Sequence, residues 1–166
     1  MRILGGWVIV VLVLGFCPFG YGKDLTHRLG VGYADQFGVS GGLPSVALRY
    51  YSARDLGFAA HLGVDTDEDN SRFGFMAKVF RIIFEEDNMN FYMGAGAGLV
   101  SSKPNGGSTS SGFDLSGFFG AEFFFSGLDS LGFSFEAGVG VTSLSNDVRF
   151  RTLGDSPMRA GMIFYF

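Results

Sequence analysis

Alternation at period two is the feature that most constrains this chain. In LGFSFEAGVGVT, Leu131, Phe133, Phe135, Ala137, Val139 and Val141 occupy one phase, and Gly132, Ser134, Glu136, Gly138, Gly140 and Thr142 occupy the other. Successive side chains of a β-strand point to opposite faces, so this segment presents one bulky apolar face and one small or polar face. FDLSGFFGAEFFF repeats the pattern, with Phe113, Leu115, Gly117, Phe119, Ala121, Phe123 and Phe125 set against Asp114, Ser116, Phe118, Gly120, Glu122 and Phe124. LGFAAHLGVD does the same with Leu56, Phe58, Ala60, Leu62 and Val64 against Gly57, Ala59, His61, Gly63 and Asp65.

Runs of this kind predict eight strands, near 26–36, 44–53, 56–65, 71–82, 89–100, 112–125, 130–142 and 157–166. Their lengths suit tilted strands crossing a bilayer, which need about 9–11 residues. The expected connections alternate in kind. Arg54-Asp55, EEDN and GLD are tight, whereas FGVSGGL, DTDEDNS, SSKPNGGSTSS and SNDVRFRTLGDS are longer and polar. Short turns at one end and long loops at the other predict an all-β fold, an eight-stranded antiparallel up-and-down transmembrane barrel. An even strand number brings both termini to the same side.

The first 22 residues read differently. Arg2 precedes the apolar run ILGGWVIVVLVLGF, which is too short to span comfortably, and Gly20-Tyr21-Gly22 offers small residues before Lys23. The expectation is a cleaved signal peptide, 1–22, followed by one barrel domain, 23–166. An uncleaved anchor is the first alternative. A lipoprotein at Cys17 is the second, although Phe16 precedes it where Gly, Ala or Ser is expected. Removal of the signal also removes Cys17, the only cysteine, so no disulfide framework is expected.

Periodicity does not say which phase faces inward. A soluble barrel would bury the Phe phase. That phase is bulky in almost every strand, however, and eight strands enclose an interior only just wide enough for side chains. The opposite phase is dominated by glycine with sparse charge, a poor surface for water. Charged residues make up only 17% of the chain, and Phe reaches 20 residues and Gly 27. Phe, Leu, Val and Ala are therefore expected to face lipid. The lumen then holds Arg28, Arg49, Arg72, Lys78 and Arg159 against Asp65, Asp114, Glu122 and Glu136. Buried ions must pair. The expectation is an interleaved network supported by Tyr51, Tyr92 and Tyr165, with Asp65 and Arg72 merely solvated at a rim. Arg81 falls on the outward phase, where it snorkels to the interface or marks a bulge.

The net charge of −4 shows no basic patch, so nucleic acid is not an expected partner. No cofactor or metal is expected either. His27 and His61 are the only histidines, and mid-strand His61 reads as a hydrogen-bonded core residue. No cysteine nucleophile, GxSxG elbow or His-x-Ser pair of the kind seen in barrel lipid A deacylases is present, so no enzyme is expected. DTDEDN opens like a calcium loop, but Asn70 stands at position six and Met76 at position twelve. A solvated acidic loop is the expectation, with cation bridging to lipopolysaccharide phosphates the weaker alternative. GAGAG, 94–98, alternates within a strand and is not a phosphate loop.

From Lys23 onward the chain resembles the small eight-stranded outer-membrane barrels of Gram-negative bacteria, such as OmpX and the transmembrane domain of OmpA. The most specific element is the ending, RAGMIFYF. Arg159, Gly161, Phe164 and Phe166 fill the polar, glycine and two aromatic places of such a barrel's carboxyl-terminal signal. The resemblance implies an outer-membrane location, contact with lipid and lipopolysaccharide, and delivery of the last strand to the barrel assembly machinery. It implies no peptidoglycan-binding module. The expected role is membrane architecture or surface contact through the loops. A narrow porin-like channel or transporter for small or apolar solutes is the alternative, and a lipid-modifying enzyme the remote one.

Overall fold

The computed structural model describes residues 23–37, 42–67, 69–104, 106–144, 147–152 and 158–166. The expected signal segment, 1–22, lies outside them. Among the described residues nine strands follow in order: β1 (Leu29–Phe37), β2 (Leu43–Tyr51), β3 (Leu56–Asp65), β4 (Asn70–Glu86), β5 (Met89–Pro104), β6 (Ser110–Phe124), β7 (Leu131–Leu144), β8 (Asp147–Arg151) and β9 (Arg159–Tyr165). No helix occurs among the described residues. Consecutive strands pair antiparallel from β1 to β7, β7 pairs with β9, and β9 pairs with β1. The result is a closed eight-stranded antiparallel barrel. Closure satisfies the backbone groups that an open sheet edge would expose.

The phases separate as the alternation requires. Leu48, Phe58, Leu62, Phe75, Leu115, Phe119, Phe135, Met162 and Phe164 lie exposed on the outer face, and Arg49, His61, Lys78, Asp114, Glu122, Glu136 and Arg159 lie buried inside. Arg81 does point outward, and its Nε donates to Asp55 Oδ2 at 2.7 Å. The nearby register shift falls beyond it, between Ile82 and Phe84.

Strand ends differ from the sequence reading in instructive ways. The first strand begins at Leu29 rather than near 26, because Thr26 and His27 form a turn. β4 runs on to Glu86, so only Asp87 and Asn88 remain of EEDN. At the other end β4 and β5 stay paired from Phe73↔Ser101 to Asn70↔Pro104. Their polar residues read as loop, but the ladder continues because backbone pairing does not depend on apolar side chains. Phe125–Ser130 joins β6 to β7 through a turn closed by Leu128 N–H on the Phe125 carbonyl, with Gly127 at φ 86°. That third position of a type II turn needs positive φ.

β8 lies within a segment expected to be loop. It pairs with β7 at Gly140–Leu144, while β9 takes the same edge of β7 at Leu131–Glu136. Among the described residues, this edge of β7 is thus covered by two strands, β8 toward the loop end and β9 toward the short-turn end. The sequence cue is DVRFR, an alternation of only five residues.

Candidate functional site

The lumen is filled in three layers, and the middle one is ionic. Arg49 enters from β2 at its centre. Its Nη1 lies 3.0 Å from Glu122 Oε1, and its Nη2 lies 3.4 Å from Glu136 Oε1 and donates to the Tyr92 hydroxyl at 3.2 Å. Glu122 is fully buried and accepts from the Tyr51 and Tyr165 hydroxyls at 2.7 and 2.6 Å. Glu136 accepts from the Tyr92 hydroxyl at 3.1 Å and from Lys78 Nζ. Aromatic rings complete the shell. The Arg49 guanidinium stands 4.9 Å from the Phe80 ring centre and 5.1 Å from that of Tyr92, and Lys78 Nζ stands 4.7 Å from that of Phe118. Each carboxylate faces a cation and at least one phenol, so the desolvation of these ions is met by paired hydrogen bonds. Residues from β2, β4, β5, β6, β7 and β9 meet here, which ties the barrel wall across its own interior.

An apolar plug closes the loop end. Phe37, Leu43, Met76 and Val100 pack together with Leu144 against them. Phe37 reaches the inside because the β1 register shifts between Asp35 and Phe37, turning both Gln36 and Phe37 inward. At the short-turn end residues 23–28 cross the opening and bury Leu25 in the cluster of Tyr51, Ile82, Phe124 and Tyr165. His27 takes φ 62°, and its N–H bonds the Tyr51 carbonyl at 2.8 Å. Asn90 Nδ2 donates to the Lys23 carbonyl at 3.1 Å, and Lys23 Nζ lies 3.0 Å from Asp129. The Asp24 carboxyl is held below its ordinary value by the Thr26 hydroxyl and backbone N–H, which keep this crossing segment bent.

The expected network residues are placed unequally. Arg49, Lys78, Glu122 and Glu136 come together. Arg159 is buried directly across from Glu136 in the β7–β9 register. Arg28 is a correction: it sits half-buried at the short-turn rim, bonding the Ser130 hydroxyl and the Tyr165 carbonyl, both at 3.4 Å. It stands outside the network because the chain turns before β1 and never carries it into the barrel. Asp114 is buried on the lumen face. Asp65 and Arg72 pair with each other at the loop-end rim, with Arg72 Nη1 also on the Gly42 carbonyl at 3.0 Å. In the acidic loop, Asp65 and Asp67 accept the backbone N–H groups of Asp67 and Asp69.

His61 is a second correction. It is buried at 4% exposure, yet among the described residues neither ring nitrogen has a hydrogen-bond partner. Gln36 Nε2 is in the same condition. Sequence reasoning did not find Gln36, because strict alternation carries no sign of the bulge that swings it inward. Of the ending, Gly161 follows the inward phase, Phe164 and Phe166 are exposed outside, and the Phe166 N–H bonds the Leu29 carbonyl at 3.0 Å. Set beside protein-family models, curated proteins and solved structures, the chain matches none of them.

Proposed function

We propose that this chain is an outer-membrane barrel with a packed, charged lumen, acting in envelope architecture or in surface contact through its longer loops rather than through catalysis. The observation that carries the reading is the pairing of opposite faces: a continuous apolar outer wall around an interior of buried, mutually neutralising ions. Such a wall in water would expose far more contiguous apolar surface than soluble proteins tolerate. In a bilayer the same wall is satisfied, and the closed ladder pairs the strands' backbone groups with one another rather than with water. The ionic layer, with an apolar plug above it and Leu25 below it, supports a barrel that holds a membrane position without conducting.

The partners implied are lipid and lipopolysaccharide on the outer wall and the barrel assembly machinery at the RAGMIFYF strand. The deciding experiment is conductance of the purified protein in planar bilayers. The expected trace is flat. Steady single-channel currents would refute the plugged lumen and favour the channel reading.

A further inference from the structure

A groove of about 650 Å³ crosses the outer wall where β3 to β7 are continuously paired. One rim is the cross-strand row Leu56, Arg81, Met93 and Phe119, and the other is the row Val79, Ala95, Gly117 and Val139. Between them the floor is the inward row Phe80, Gly94, Phe118 and Gly138. Gly117 leaves the second rim low, since a Cβ there would meet nothing. The groove climbs the wall. It starts beside Leu56, the first residue of β3 at the short-turn rim, and ends at Val139, midway along β7. Three strand spacings of about 4.8 Å separate β4 from β7, a run of roughly 14 Å, so it stays within one half of a bilayer core about 30 Å thick. Its rim end alone is charged. Arg81 is 72% exposed there, on the lipid-facing phase, and its Nε donates to Asp55 Oδ2 at 2.7 Å. Its two terminal nitrogens have no partner among the described residues. The Ile82 N–H holds the Asp55 carbonyl at 2.8 Å, which fixes this anion beside the cation.

We propose that this groove holds one acyl chain of a phospholipid with a phosphoethanolamine head, drawn from the leaflet on the short-turn side. The polarity of the groove matches that of the lipid, with the charges at the rim and an apolar run toward mid-wall. Its volume falls within the roughly 300–1,000 Å³ of small-molecule sites. The free fork of a guanidinium suits two phosphate oxygens, so the phosphate sits on the terminal nitrogens of Arg81. Asp55 keeps an oxygen to accept from a primary ammonium. Arg81 and Asp55 together carry no net charge, and a head with one phosphate and one ammonium engages both. A choline head has no N–H for Asp55, and a phosphoglycerol head brings no cation to it. The site lies wholly on the outer face, so it coexists with a non-conducting barrel. It rests on the proposed membrane-facing wall, and adds one specifically held lipid to the lipids that merely surround that wall.

The test uses single tryptophans, which a Trp7→Phe background makes unique. Val139→Trp reports the deep end of the groove, and Phe164→Trp reports the outer face of β9. The purified protein is placed in phosphatidylcholine vesicles containing a rising fraction of phosphatidylethanolamine brominated at mid-chain. Quenching at position 139 is expected to saturate at a low fraction, and at position 164 to rise in proportion. Arg81→Gln should raise the fraction needed at position 139 about tenfold, the equivalent of its charge-assisted hydrogen bonds. Gly117→Leu, which fills the groove, should give proportional quenching while the protein keeps its folded band. Brominated phosphatidylglycerol should quench position 139 only in proportion, and Asp55→Asn should turn the preference toward it. Proportional quenching at both positions overturns the site and leaves the membrane reading standing. Quenching at neither overturns both. Quenching at 164 alone means that a second copy or another protein covers the groove, which overturns the lipid. Phosphatidylglycerol matching phosphatidylethanolamine in the parent overturns the head assignment, as does an Arg81→Gln variant equal to the parent.

Discussion

Replacement of Glu136 by Ala probes the ionic layer most directly. Three groups lose a partner, and their losses are unequal. Arg49 keeps Glu122 at 3.0 Å and the Tyr92 hydroxyl at 3.2 Å, so it is little disturbed. Tyr92 loses an acceptor for its hydroxyl proton, about 1 kcal/mol. Lys78 loses the carboxylate to which it donates, and its side chain is only 1% exposed. Removing one partner of a buried pair costs about 3–5 kcal/mol, because the remaining charge is left without compensation. The Phe118 ring, 4.7 Å from Nζ, stays beside the ammonium in the variant and keeps the cost toward the low end of that range. The net expectation is a loss of about 3 kcal/mol, a hundredfold or more in the folding equilibrium. Urea titration in lipid vesicles, read by the shift of the folded band on unheated gels, measures it. Adding Lys78→Met to Glu136→Ala should restore about 2 kcal/mol, because the orphaned charge disappears with it. A single variant indistinguishable from the parent, or a double variant worse than the single, would refute the reasoning by placing Lys78 in contact with water.

Two further substitutions test the wall itself. Phe135→Arg, on the outer face, should cost about 2–4 kcal/mol at mid-bilayer and deplete the folded, gel-shifted species, whereas the inward Ser134→Cys should assemble and resist a lipid-soluble maleimide; strong labelling of Cys at 134 from the lipid phase would invert the assignment of inside and outside. Gly32→Val should prevent barrel closure, because a Cβ there collides with the Met162 carbonyl and the Ile163 Cα of β9, while Gly117→Ala, whose Cβ meets nothing, should leave the folded band intact.

How far the sequence could be read depended on what each feature leaves in the residue pattern. Alternation marks which face a residue takes, so Arg49, Lys78, Glu122, Glu136 and the three tyrosines could be named as inward without coordinates. It says little of where along the axis a residue falls, so Arg28 reads as a network residue and lies instead at a rim. Nor does it register an irregularity of one residue. The bulge in β1 turns Gln36 and Phe37 inward together, and no local composition announces it. His61 was legible as buried but not as lacking partners, because satisfaction depends on neighbours from β1, β7 and β9 that meet only after closure. β8 escaped for a related reason. Five alternating residues inside a Gly- and Ser-containing stretch resemble loop until β7 offers them an unpaired edge.

The weakest part of the wall is also where the ionic layer acts most. Among the described residues, β1 and β9 pair through Gly30–Ala34 against Gly161–Tyr165, with the Phe166 N–H on the Leu29 carbonyl beyond them, whereas β4 and β5 pair from Asn70 to Glu86. A seam this short has few ladder hydrogen bonds to resist opening. Glu122 reinforces it from inside. It holds Tyr165, on the β9 side of the seam, and Tyr51 and Arg49, on the β2 strand that backs β1, against the opposite wall at β6. Glu122→Gln keeps the shape and one acceptor oxygen but removes the charge and leaves one phenol without an acceptor, a loss of about 2–4 kcal/mol. Because local opening follows the least stable unit, the effect should be uneven. Amide hydrogen exchange should quicken chiefly in Gly30–Ala34 and Gly161–Tyr165, with the β4–β5 ladder little changed. Equal acceleration in every strand would mean that Glu122 stabilises the barrel as a whole, and that the seam is closed by its backbone ladder alone.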